Sequence, residues 1–241
     1  MKRKVNPFIF LYQWLIFVPL FAIATVLTAV SILVFSYLFG EKTITYLPGR
    51  HWSKLACIGM FMKVKVIGAE KIIPKKSYIF AANHQSGYDI FLAYGWLPAR
   101  FKWIMKQELR KVPFVGAACD ISGHIFIDRT SPISAKKSIE AAIKKLSNGT
   151  SVFVYPEGTR SKTGKLGKFK RGAFTLASEI RFPIVPLTLK GTYEAMPIWS
   201  YNIHPCTLTL VIHDPIPYQP EFDENPHLLM DKVRGVIESA L

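Results

Sequence analysis

"SYIFAANHQSGYDIFLAYGWL", Ser77 to Leu97, is the stretch from which the fold can be read. Its first part, Ser77–Ala82, is a short apolar run of strand character. Its last part, Asp89–Leu97, has the apolar content of a short buried helix with Asp89 at its start. Between them, "NHQSGYD" sets His84 five residues ahead of Asp89, across the flexible pair Ser86 and Gly87. Facing residues on an unbroken helix are three or four apart, so that offset would point the two side chains to different sides. A strand–turn–helix brings them together instead, with His84 at a strand end and Asp89 at a helix N-terminus. A carboxylate on one ring nitrogen fixes the tautomer and leaves the other nitrogen free to act as a base. The alternative is a polar turn carrying a surface histidine, because a His-x4-Asp pattern alone also arises by chance.

The same alternation continues through the rest of the chain and argues for a single α/β domain. Strands are expected at Lys63–Gly68, Tyr78–Asn83, His124–Asp128, Ser151–Pro156, Ile184–Leu189 and Thr207–His213. A helix is expected from Ser131 as cap, through the apolar stripe Ile139, Ile143 and Leu146, to Gly149. Its lysines, Lys136, Lys137, Lys144 and Lys145, read as a solvated face. The sequence contains no internal repeat and no linker long enough to divide the domain.

The chain has 241 residues, half of them hydrophobic and only 20% charged, which leans towards membrane contact. Its formal net charge is +15 and its pI is near 9.7, so anionic partners are expected. Three scattered cysteines, Cys57, Cys119 and Cys206, indicate neither a disulfide framework nor a metal site.

Phe8 to Phe39 contains no charged residue. As one helix, these about 32 residues would extend ~48 Å, beyond a hydrocarbon core of ~30 Å. Pro19 is expected to end or kink a helix near Val18. A cleaved signal peptide is rejected, because the apolar run continues well past the small residues Ala22 and Ala24. Basic residues flank the run on both sides: Lys2, Arg3 and Lys4, then Lys42, Arg50 and Lys54. A single span would put one group on the wrong face, so a helical hairpin embedded in one leaflet is favoured over a tilted span. Residues 1–45 are thus read as a membrane-embedded segment and residues 46–241 as a catalytic domain.

"VYPEGTRS", Val154 to Ser161, follows a strand and makes a turn whose backbone N–H groups and Arg160 suit phosphate or carboxylate. "GHIFIDR", Gly123 to Arg129, ends another strand on a guanidinium. If the sheet gathers these strand ends, one pocket holds a poised histidine beside a phosphate clamp. The lysines that follow, Lys165, Lys168 and Lys170, read as a solvated basic loop.

The order Asn83-His84-x4-Asp89, "MKQEL…VPFVG" (Met105–Gly116), "GHIFIDR", "YPEGTRS" and "IVPL" (Ile184–Leu187) resembles the bacterial 1-acylglycerol-3-phosphate acyltransferases, also called lysophosphatidic acid acyltransferases. The likeness covers about residues 50 to 215. It implies an α/β fold with a mixed sheet flanked by helices, and transfer of a fatty acyl chain from acyl-CoA or acyl carrier protein to lysophosphatidic acid. By position, His84 resembles the general base and Asp89 its orienting residue. Arg129, Glu157, Gly158, Thr159 and Arg160 resemble the acceptor-phosphate site, and Lys106 a basic residue near it. No metal or other cofactor is implied. The resemblance also implies work at the inner (cytoplasmic) membrane, on its cytoplasmic side. Tyr155 stands where the family commonly has Phe.

The chemistry fits the residues independently. An alcohol attacks a thioester poorly unless its proton leaves as the bond forms, and a positioned base is worth roughly 10²–10⁴-fold. Without a Gly-x-Ser-x-Gly elbow, direct transfer is favoured over a serine acyl-enzyme. Ser86 and Cys119 are the other conceivable nucleophiles. A glycerol 3-phosphate or other lysophospholipid acyltransferase is the nearest alternative. A non-catalytic membrane-binding module would leave the two ordered turns unexplained. A nucleic-acid binder lacks a recognition motif, and no nucleic-acid partner is expected.

Overall fold

The structure, a computed structural model, describes residues 6–39, 45–128, 134, 138 and 150–241. The helix expected at Ser131–Gly149 and the candidate Arg129 lie outside the described residues. In chain order the elements are α1 (Pro7–Phe39), α2 (Tyr46–Gly59), β1 (Lys63–Ile67), β2 (Ile79–Ala82), α3 (Tyr88–Trp96), β3 (Phe101–Lys106), α4 (Val115–Ile121) and β4 (Ile125–Ile127). There follow β5 (Ser151–Val154), α5 (Gly172–Ile180), β6 (Ile184–Lys190), β7 (Thr207–Ile212) and α6 (Pro226–Glu238), with one-turn helices at Thr192–Ala195 and Glu221–Glu224.

The strands form one sheet in the order β1-β7-β6-β2-β5-β3-β4. β6, β2, β5, β3 and β4 run parallel, while β7 is antiparallel to β6 and carries β1 parallel to itself. The chain therefore has the expected mixed sheet flanked by helices. The central strands β2 and β5 are buried at every position, as suits parallel strands covered on both faces. The edge strand β1 instead presents Lys63 and Lys65 to solvent, which discourages further pairing. β3, "FKWIMK", lacks a clean apolar run and was not among the expected strands.

Alternation along β2 feeds two cores. Phe80 and Ala82 join the layer with α1, α2 and α3, whereas Ile79 and Ala81 join the layer with α5 and α6. The C-terminal ends of β2, β5, β3 and β4 lie along one edge, where open α/β sheets place their ligands.

α1 departs from expectation in an instructive way. Phe8–Phe39 does not fold back on itself, and Pro19 does not end the helix. A π-helical turn at Gln13–Phe17, closed by Val18 N–H donating to the Gln13 carbonyl, absorbs the disturbance just ahead of the proline. α2 returns antiparallel, with the Trp52 Nε1–H donating to the Thr25 hydroxyl (2.8 Å) and the Tyr12 hydroxyl donating to the Gly59 carbonyl (2.9 Å). The apolar segment is thus one arm of an N-terminal helical hairpin. It also packs on the domain: Phe21 stacks on Trp52 and meets Phe91 edge-on, and Ala29 and Ile32 meet Ala118 of α4.

Candidate active site

The turn after β2 is built by its own side chains. Asn83 acts as a substitute strand residue, donating to the Leu189 carbonyl (2.9 Å) and accepting from the Leu189 N–H (2.8 Å). This ties the end of β2 to β6. Asp89, fully buried in the first turn of α3, gathers three donors on Oδ2: His84 Nδ1 at 2.8 Å, the Gln85 N–H at 2.6 Å and the Ser86 N–H at 2.8 Å. A helix N-terminus favours the carboxylate there. Its Oδ1 has no hydrogen-bond partner among the described residues. With Nδ1 committed as donor, Nε2 of His84 carries a lone pair and the ring borders a large cavity.

The next turn along, after β5, makes a different use of its carboxylate. Glu157 accepts from the His84 backbone N–H through Oε1 (2.7 Å) and from the Gly167 N–H through Oε2 (2.6 Å). Burial raises its carboxyl above the usual value, opposed by those two N–H bonds and by His84. It braces the histidine turn against the basic loop. Gly167 permits this, since a Cβ there would lie 2.6 Å from Glu157 Oε2. Gly158 has φ +71°, a left-handed conformation that favours glycine.

The cavity has a volume of about 1090 Å³. Its lining includes His84, Thr159 and Arg160 from the two turns, with Lys106 from the end of β3 and Lys170 from just ahead of α5. Elsewhere the lining is mostly apolar and includes Thr25, Ala29 and Ile32 of α1, Trp103 of β3 and Ala118 of α4. Of the sequence-predicted residues, His84, Lys106, Gly158, Thr159 and Arg160 therefore meet at one cavity. Asp89 and Glu157 stand behind it, both buried.

Three further residues were not among the expected site residues. Lys170 was read as solvated, yet it borders the cavity. Tyr155 lies flat on His84, with ring centroids 3.8 Å apart and 12° between planes. His124 borders the cavity, and its Nδ1 accepts from the Trp103 N–H (3.2 Å), leaving the proton on Nε2. Burial, helped by Lys102, pushes His124 down to about 3, so it stays neutral. The only signals of Tyr155 and His124 in the sequence were an aromatic in "VYPEGTRS" and a histidine in "GHIFIDR". The alternative nucleophiles are poorly activated, although Cys119 also lines the cavity. The Ser86 hydroxyl donates to the Met196 carbonyl and accepts from the Tyr88 N–H, and burial pushes the Cys119 thiol up to about 11.

Comparison with known proteins gives this geometry a family. The acyltransferase family's sequence profile matches residues 63–190. A 1-acyl-sn-glycerol-3-phosphate acyltransferase of Chlamydomonas reinhardtii is 31% identical over 234 residues, 96% of this chain and 68% of the algal protein. The chloroplastic 1-acyl-sn-glycerol-3-phosphate acyltransferase LPAT1 of Arabidopsis thaliana is 36% identical over 167 residues, 68% of this chain but 46% of the plant protein. The crystal structure of the 1-acyl-sn-glycerophosphate acyltransferase PlsC from Thermotoga maritima superposes with a TM-score of 0.77 at 29% identity, covering 98% of this chain and 94% of that one. A histidine–aspartate pair at a strand-end turn, an adjoining basic turn and these likenesses lead to one conclusion: the chain belongs to the acyltransferase family.

Proposed function

We propose that the protein transfers a fatty acyl chain from a thioester, acyl-CoA or acyl carrier protein, to the free hydroxyl of 1-acylglycerol 3-phosphate, giving phosphatidic acid. The observation that carries this reading is the 2.8 Å bond from His84 Nδ1 to a carboxylate with no exposure, at the edge of a cavity that also has basic groups. His84 Nε2 takes the proton of the acceptor hydroxyl as that oxygen attacks the thioester carbonyl carbon. The resulting imidazolium is stabilised by Asp89. Collapse of the tetrahedral intermediate breaks the carbon–sulfur bond, and the proton passes from His84 to the departing thiolate. No acyl-enzyme forms. Arg160 and Lys106 hold the acceptor's phosphate, aided by the backbone of Gly158 and Thr159. Arg129 is assigned to the same role on the sequence resemblance alone. Glu157 supports this clamp by holding the turn. The apolar reaches of the cavity take an acyl chain, which belongs in such surroundings.

Residues 1–45 then serve as the membrane segment and residues 46–241 as the catalytic domain, at the cytoplasmic side of the inner membrane. α1 touches the domain near both ends, through Gln13 and through Ile32, so a crossing helix would drag the domain into the bilayer. A helix lying in one leaflet keeps both flanking basic groups on the same side and satisfies the positive-inside tendency. Turnover by the purified protein, offered several lysophospholipids and both donor types, tests the reading. Phosphatidic acid formed from 1-acylglycerol 3-phosphate is the expected outcome. Preference for another acceptor would move the enzyme to that substrate, and an acyl-protein trapped with donor alone would reject direct transfer.

A further inference from the structure

The base reading leaves one face of the His84 ring unaccounted for. Tyr155, the residue just after β5, covers it in a parallel stack, and Trp103 continues the column behind at 5.8 Å and 21°. Phe153 meets the Tyr155 ring edge-on at 5.1 Å and 62°, fixing its tilt. The Tyr155 hydroxyl is buried and has no hydrogen-bond partner among the described residues, and so is Asp89 Oδ1. Burial, and secondarily the Asp89 charge, hold the phenol neutral and well above its usual value. An unpaired buried hydroxyl is unfavourable, so stability alone does not explain the residue. Its ring face, however, carries the negative lobe of an aromatic quadrupole, which attracts a cation placed over it.

Neutral imidazole gains little from that face, whereas imidazolium gains much more. On taking the acceptor's proton, His84 becomes imidazolium. Asp89 meets that cation at its edge and Tyr155 meets it face-on. We propose that Tyr155 is a positioning residue for the transfer reaction, holding His84 flat and stabilising its protonated form as the acceptor hydroxyl attacks. The inference rests on His84 being the base. Being stronger in the transition state than before it, the interaction acts on kcat and leaves KM alone.

The test replaces Tyr155 by Phe and then, at the same position, by phenylalanines bearing one, three and five ring fluorines. Fluorine drains the ring face while keeping its shape. Tyr155→Phe should stay within about three-fold of the parent, and kcat should then fall stepwise by roughly ten-fold over the series, with KM unchanged. Tyr155→Leu, where it folds, should match or exceed the pentafluoro loss. A flat series would overturn the inference, as would a KM that moves in step with kcat. His84→Ala measured alongside separates the two claims. If it retains turnover, the base reading fails. If it loses turnover while the fluorine series is flat, only the role of Tyr155 fails.

Discussion

Asp89 and Glu157 are both buried carboxylates at neighbouring strand-end turns, and both belong to short polar motifs that look equally functional in sequence. Their hydrogen bonds differ. Asp89 concentrates three donors on one oxygen, one of them an imidazole, and its other oxygen has no partner among the described residues. Glu157 divides two backbone N–H groups between two oxygens and, among the described residues, meets no titrating side chain through a hydrogen bond. A carboxylate whose partner is a base orients chemistry. One whose partners are amides positions chain. Residue type and spacing cannot separate these roles, because the Glu157 partners lie 73 and 10 positions away.

That contrast can be broken most directly at His84. His84→Ala should lower turnover by roughly 10²–10⁴-fold, with an unchanged melting curve. Near-normal turnover in a folded variant would strip the Asp89 turn of its chemical role. Asp89→Asn should follow, with a drop of about 10²-fold in kcat and less change in acceptor KM, because the amide no longer fixes the tautomer or balances the imidazolium. A loss confined to KM would put Asp89 on the binding side of the comparison. Arg160→Ala comes next. Removing a charge-assisted bond costs about 1.5–3 kcal/mol, so KM for a phosphomonoester acceptor should rise one to two orders of magnitude. An unchanged KM would place the phosphate elsewhere.

Glu157→Gln should give the smallest catalytic effect and a plain structural one. The new amide turns N–H groups towards an N–H, leaving one donor unpaired, for a loss of about 1–3 kcal/mol in unfolding free energy. kcat per folded molecule should hold within a few-fold. The pH dependence sharpens this. Because the folded carboxyl is raised above its usual value near 4.5, the folded chain binds that proton more readily than the unfolded one. Its contribution to stability therefore falls as pH rises from 4.5 through the raised value, and Glu157→Gln should flatten that slope. Normal stability combined with a large KM change would make Glu157 a substrate ligand.

Much of this was legible beforehand. The β2 turn was, because an apolar run, a polar turn and a second apolar run with an acid at its start impose strand, turn and helix locally. β3 was not, since Lys102 interrupts its apolar content and finds its partner, the Ser122 carbonyl, only in the tertiary fold. α2 was hidden by Pro48 and Gly49 near its start. Gly49 is required there, as a Cβ would come within 2.5 Å of the Tyr94 ring. Pro19 misled in the opposite sense, because a wider turn before it spared the helix. At the site, the identity of the histidine–aspartate pair was readable and the covering aromatic was not, since stacking depends on strand order rather than spacing.

Gln13 has a consequence in time. Its side chain donates to the Tyr201 carbonyl and accepts from the Ile203 N–H, 188 and 190 positions further along. At the usual ~5–20 residues per second of synthesis, roughly 10–40 seconds separate the helix from those partners. For that interval the uncharged 33-residue helix has α2, Phe91 and Ala118 to pack on but lacks the partners that hold Gln13. Water is a poor host for it, and a bilayer is a good one. On the membrane reading proposed above, lipid would receive α1 before Tyr201 and Ile203 exist, and the last part of the domain would close onto a helix already in place.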